Sequence, residues 1–169
     1  MASAEQRCDM IRLAIDGHPR LSLNTLELER GGPSFSVDSL RQMKVRSASV
    51  FVLVLGVDAF NGFAGWKSPD EILQLAHLVV CGRPGFRLDS DLYAAHRADT
   101  PAQLGGRDAG MILPLEVDAL DCSSSELRAE LAHGRIDLQA LPQGVAEYID
   151  QHQLYRYRED QVNYERNTR

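Results

Sequence analysis

The sequence has 169 residues, 44% hydrophobic and 25% charged, with a formal net charge of -6, which is enough chain for one self-sufficient core and too acidic for a general nucleic-acid surface. Its three cysteines, Cys8, Cys81 and Cys122, are odd in number, far apart and free of any C-x-x-C pair, so neither a disulfide framework nor a zinc site is indicated. The apolar runs are far short of the ~20 residues of a membrane span, and the amino terminus lacks the basic-then-apolar order of a signal peptide. These bounds point to small molecules or proteins as partners, no membrane, and a reducing cytoplasm.

The first element is a helix over Ala4–Ile15, with Met10, Ile11, Ala14 and Ile15 on one face. Leu23 to Arg30 alternates and reads as a weak strand, and Ser36 to Met43 reads as a helix. Val50 to Leu55 is continuously apolar and branched, the pattern of a strand buried on both faces of a parallel sheet. Ser68-Pro69-Asp70-Glu71 then opens a helix, with Ser68 as N-cap, Pro69 as first helical residue and Glu71 as capping-box acid. A second buried strand, His77 to Cys81, stops at Gly82-Arg83-Pro84-Gly85. The segment from Arg83 to Gly110 is long enough to be a functional loop. A third strand, Met111 to Val117, is weakened or bent by Pro114. Two helices come after it, one opened by the serines of LDCSSSELRAEL and one over Pro142 to His152 carrying Val145 and Ile149. The alternation predicts an α/β fold over residues 1–156, with a charged, unpatterned and disordered tail over 157–169.

In open α/β sheets ligands bind beyond the carboxyl ends of the strands. After the first apolar run come Gly56 and Asp58, where a glycine permits close backbone approach and a carboxylate accepts from ribose hydroxyls. A turn with Asp58 capping a short helix is the plainer reading of these two residues. Trp66, the only tryptophan, lies among glycines; it suits stacking on a planar ring, or a core anchor whose indole N–H finds a carbonyl. Arg83 offers a planar fork to a phosphate or carboxylate, or is a solvated surface arginine. Ser123 and Glu126 have capping-box spacing. Ser124 and Ser125 are left over, and with helix amides and Arg128 one turn later they would suit phosphate oxygens, although simple capping is the plainer reading. The five histidines show no H-x-G-H, H-x-x-H or H-E-x-x-H spacing, so no local catalytic residue is indicated. His133 before Gly134 fits a helix carboxyl-terminal cation.

In order along the chain, SAEQRCDMIRLAI, LELERGGPSFSVDSL, FVLVLGVDAF with GWKSPDEI, AHLVVCGRPGF, LDCSSSELRAEL and LPQGVAEYIDQHQLY resemble the bacterial nicotinate-nucleotide adenylyltransferases of the nucleotidyltransferase α/β superfamily. The resemblance implies a Rossmann-like fold with a parallel sheet. It also implies attack of the phosphate of nicotinate mononucleotide on the α-phosphorus of ATP, giving deamido-NAD and pyrophosphate with Mg²⁺ assistance. By the same resemblance Ser123, Ser124 and Arg128 would serve ATP, Gly56 and Asp58 would line the nucleotide cleft, and Trp66 would stack on the pyridine ring. Lys67, Ser36 and Arg83 would lie near the nicotinate end.

Members of this family begin with a buried strand and a G-x-F-D-P-x-H-x-G-H segment whose histidines bind the ATP phosphates. No such segment occurs in these 169 residues, and Met1 to Arg7 resembles the segment just after that unit and the next strand. The expectation is therefore an N-terminally truncated form of the fold, its first strand or strands missing. Either the natural protein carries the unit upstream, or the chain is a non-catalytic nucleotide-binding or protein-interaction relative. An unpaired strand edge would favour assembly, including a homo-oligomer. Other departures from the family are Ser125, where threonine is common, and Lys67-Ser68, where histidine or aromatic residues more often come after the tryptophan.

Overall fold

Three short apolar runs form the sheet because each can hydrogen-bond only to a neighbouring strand and none is long enough to fold back on itself. The computed structural model of the protein describes residues 2–82, 88–89, 91–117, 123–133 and 141–156. Among them, β1 (Val52–Gly56), β2 (His77–Cys81) and β3 (Ile112–Leu115) pair in parallel in the order β1-β2-β3. Val54 lies opposite Val79, and Val79 opposite Leu113. The predicted tail over 157–169 lies outside the described residues.

Two compact units divide the chain, Leu26–Asp121 being one and Met1–Thr25 with Cys122–Arg169 the other. In the sheet-bearing unit the helices are α2 (Leu26–Arg30), α3 (Ser36–Arg46), α4 (Val57–Asn61) and α5 (Pro69–Leu75). The in-register pairing puts Leu53, Leu55, Leu78, Val80 and Ile112 on one face of the sheet, and this unit's core cluster forms on that face, while on the other face His77 and Leu113 are buried as well. Val37 and Leu40 of α3, Phe60 of α4, Phe63, and Ile72 and Leu73 of α5 complete it. On the opposite face Val52 and Val54 are 47% and 61% exposed. The sequence reading of two-sided burial for Val50–Leu55 is thus corrected. An apolar run shows that a strand tolerates burial, and no described residue of this unit covers those valines.

The weak strand expected over Leu23–Arg30 is the helix α2 instead. As a strand, its alternating leucines would need a neighbour to pair with. The helix satisfies its own backbone and buries only Leu26, leaving Leu28 49% exposed. Gly31 and Gly32 come next with φ of +67° and +71°, two successive left-handed residues that side chains with a Cβ resist. They turn the chain toward Pro33 and into α3. Pro114 is accommodated because β3 pairs with β2 on one side and meets only an isolated Arg97–Ile112 bridge on the other. The buried ring of His77 ties β2 to the approach to β3: its Nε2–H donates to the Arg107 carbonyl at 2.9 Å and its Nδ1 accepts from the Met111 N–H at 3.1 Å.

The other unit is helical, with α1 (Ala4–Ile15), α6 (Ser124–Ala132) and α7 (Gln143–Gln151). Ser3 and Gln6 close a full capping box at the start of α1. Packing uses only part of the face expected for α1: Met10 packs against this unit's core and Cys8 is buried, while Ile11 is 44% exposed. Ala2, Leu131, Val145, Ile149 and Leu154 form this unit's core, with Met10 against it. The Tyr148 hydroxyl donates to Asp9 at 3.0 Å, and burial and that carboxylate push the phenol pKa up. No helix among the described residues is long and apolar enough to cross a membrane.

The exposure of Val54 against the burial of the other face has a direct test. Leu78→Ala, at a fully buried position, should lose about 2–5 kcal/mol. Val54→Thr on the open face should change stability by no more than about 0.5 kcal/mol. Urea unfolding of both variants measures this, and comparable losses would mean that Val54 is packed.

Candidate functional site

Ser36, Trp66 and Lys67 come together as the resemblance implies. They line one cavity of about 380 Å³ with Ser34, Phe35, Gly65 and Ile72. Two sequence features build it. The Gly31-Gly32-Pro33 turn delivers Ser34 to Ser36 to the start of α3, and Gly62 to Gly65 carries a short helical turn into Trp66. The ring of Phe63, fully buried, holds that turn down. It stacks on Phe60 at 6.0 Å and meets the rings of Trp66 and Tyr93 at 5.5 Å each. Trp66 is therefore half-buried, anchored by one part of its ring while another lines the cavity.

Lys67 lies beside it with two partners. Its ammonium donates to Asp38 Oδ2 at 2.7 Å and sits 4.5 Å above the centre of the Phe35 ring. Asp38 Oδ1 accepts from Arg41 at 2.7 Å, one turn on along α3. Arg41 in turn grips Glu71 of α5 with Nε, at 2.6 Å, and a second guanidinium nitrogen. The result is a ladder, Glu71–Arg41–Asp38–Lys67, that joins α3, α5 and the cavity wall. Sequence reasoning missed Asp38 and Arg41. Their i,i+3 spacing was visible, but Glu71 lies 30 residues from Arg41 and no local signal links them.

Glu71 was expected to close a capping box with Ser68, and the structure corrects this. Ser68 has φ of +52° and makes no side-chain cap bond. Glu71 is held by Arg41, a cation that a serine amide does not outcompete. Pro69 does open α5 as expected. At the other edge of this aromatic group, Tyr93 has its phenol pKa raised by burial and by the nearby Asp70 carboxylate to which its hydroxyl bonds.

Gly56 ends β1 and stands as the N-cap of α4. A Cβ on Gly56 would lie 2.6 Å from Asp58 Oδ1, so the glycine makes room for the carboxylate that folds back over the strand end. Asp58 itself is exposed in the first turn of α4. Arg83 lies outside the described residues. Ser123, Ser124 and Arg128 belong to the helical unit. Ser123 is the N-cap of α6, its hydroxyl accepting from the Glu126 N–H at 3.1 Å. Ser124 is exposed in the first turn, where helix geometry leaves N–H groups without intrahelical acceptors. The Arg128 guanidinium donates to the Ser125 hydroxyl at 3.3 Å, so Ser125 steadies Arg128. At the far end of α6, His133 is the C-cap and its Nδ1 bonds the Ala129 carbonyl at 2.7 Å.

A parallel α/β sheet with its aromatic cavity flanked by helices defines the class, and the family comparison agrees. Residues 1–130 match the cytidylyltransferase-like family, and the chain belongs to it. Within that family its near relatives are nicotinate-nucleotide adenylyltransferases. The chain is 38% identical over 160 residues to the one from Hydrogenovibrio crunogenus, covering 91% of this chain and 75% of that protein. It is 39% identical over 163 residues to the one from Acidithiobacillus ferrooxidans, covering 92% and 74%. The chain is thus a member of the nicotinate-nucleotide adenylyltransferase family. The fold is shared with a solved Plasmodium falciparum nicotinic acid mononucleotide adenylyltransferase, with a TM-score of 0.69 over 92% of this chain and 77% of that one at 17% identity.

Acid should loosen the ladder in a definite direction. The Lys67 hydrogen bond holds the Asp38 carboxyl below its ordinary range, and the Arg41 hydrogen bond does the same to Glu71. A depressed carboxylate contributes stability that is present above its unfolded pKa, about 4, and is lost as pH falls through the folded value. Glu71→Gln should therefore lower the urea midpoint at pH 6 and match the parent protein's loss at pH 3. An equal gap at both pH values would show that the Glu71 charge contributes nothing.

Proposed function

We propose that the chain serves adenylyl transfer from ATP to nicotinate mononucleotide, forming deamido-NAD and pyrophosphate in NAD biosynthesis. The observation that carries the assignment to this site is the cavity itself: an anchored tryptophan, a hydroxyl and a cation share one pocket in a chain whose relatives are named for this reaction. In this reading Trp66 stacks on the pyridine ring, and Ser36 and Lys67 face the ring carboxylate, with Arg83 near the same end. Gly56 and Asp58 line the nucleotide cleft, Asp58 accepting from ribose hydroxyls. Ser124, the α6 amides and Arg128 take phosphate oxygens of ATP, while the Ser123 hydroxyl caps the helix.

Adenylyl transfer asks a protein mainly to align the attacking phosphate with the α-phosphorus and to offset the charge that develops there. The aromatic anchor and the helix start are suited to those two tasks. Among the described residues no three His, Cys, Asp or Glu side chains converge on a common point, so these residues build no cage for a divalent cation. A Mg²⁺ ion would be brought on the phosphates of ATP.

A second reading, nucleotide binding without catalysis, predicts a different pair of outcomes. Two measurements on the 169-residue polypeptide separate the possibilities: calorimetric binding of nicotinate mononucleotide, and ATP-dependent pyrophosphate release in its presence. Binding with pyrophosphate release is the result expected of the first reading, and binding without release would favour the second. No binding of nicotinate mononucleotide would sink the site assignment. Trp66→Ala should weaken binding by about 5- to 100-fold, the span of one lost ring-stacking contact.

A further inference from the structure

Among the described residues on the wall of the Trp66 cavity, Lys67 is the one with a charged side chain, and its stem alone does not fix where its charge lies. A lysine ammonium on four methylenes samples many rotamers, and a carboxylate ligand gains little from a cation that must first be ordered. Here the ordering is already present. Phe35 supports the ammonium from below and Asp38 Oδ2 holds it at 2.7 Å.

Asp38 is well placed to hold without competing. It does not line the cavity. Both of its oxygens are engaged, Oδ1 by Arg41 and Oδ2 by Lys67, so its negative charge is shared between two cations. Arg41 is fixed in turn by two bonds to Glu71, which keeps Asp38 from following Lys67 into solvent. An ammonium has three donors, and Asp38 uses one. The remaining donors are free to meet a ligand carboxylate, a stronger acceptor than an amide oxygen.

We infer that Asp38 is a positioning residue that aims Lys67 into the Trp66 cavity, and that this pair sets a preference for a carboxylated pyridine ring over its carboxamide. The inference rests on the reading that this cavity takes the pyridine ring. It assigns selection to a side-chain pair that the sequence pattern did not single out, with Lys67 as the contacting group and Asp38 acting through it.

Trp66 is the only tryptophan in the chain, so quenching of its fluorescence reports occupation of this cavity. The experiment titrates the full chain with nicotinate mononucleotide and, separately, nicotinamide mononucleotide. The parent protein should bind the acid more tightly. Asp38→Asn should weaken the acid about 5- to 10-fold and leave the amide within about 2-fold. Asp38→Glu should recover part of the loss. Lys67→Met, which leaves the Arg41–Glu71 bonds untouched, should abolish the preference and guards against an Asp38→Asn protein that fails to fold. If Asp38→Asn weakens both ligands equally, or neither, the inference is overturned while the cavity reading stands. A Lys67→Met protein that keeps the preference overturns it as well. If neither ligand quenches the parent protein, the cavity reading fails and the inference falls with it.

Discussion

The fully buried ring of Phe63 is the contact on which the candidate site depends. It lies on the covered side of the sheet in the same core as Ile72, Leu78 and Ile112, and it touches Phe60, Trp66 and Tyr93 at once. Burying such a ring contributes about 1.5–3 kcal/mol from area alone. The more specific effect is geometric. Because Phe63 cannot move without opening the core, the turn from Gly62 to Trp66 is pinned, and the indole is fixed at one edge while the cavity takes the other. A tryptophan on a glycine-rich loop would otherwise have to be ordered each time a ligand arrived.

Charge completes what packing begins. The ladder from Glu71 to Lys67 is partly exposed, with side-chain exposures from 24% to 45%, and single exposed ion pairs contribute little to stability. Its consequence is positional. It fastens the start of α3 to the start of α5, the two elements that flank the cavity, and leaves one cation on the cavity wall. The sheet itself is held by β2, paired on both sides, with the satisfied ring of His77 closing its start.

The candidate residues were legible from residue order because each motif sits where a strand or helix begins or ends. Gly56 with Asp58, Trp66 with Lys67, and Ser123 to Arg128 all come after apolar runs or open helices. The misreadings share a cause. Leu23–Arg30 alternates like a strand and forms a helix, and Ser68 has cap spacing and makes no cap bond. In each case a local pattern was overruled by a partner distant in the chain, or by the lack of one.

The sequence by itself determined the class of element in most places, the family, and the identity of the tryptophan, serine and lysine that share the cavity. Local periodicity, glycine turns and motif order act over a few residues, so they survive in a linear string. Tertiary structure alone decided that one face of β1 stays open at Val52 and Val54, that Trp66 is both anchor and wall, and that Asp38, Arg41 and Glu71 stand behind Lys67. Those outcomes depend on which side chains meet across 29 or 30 residues of intervening chain, and only packing brings them within hydrogen-bonding distance.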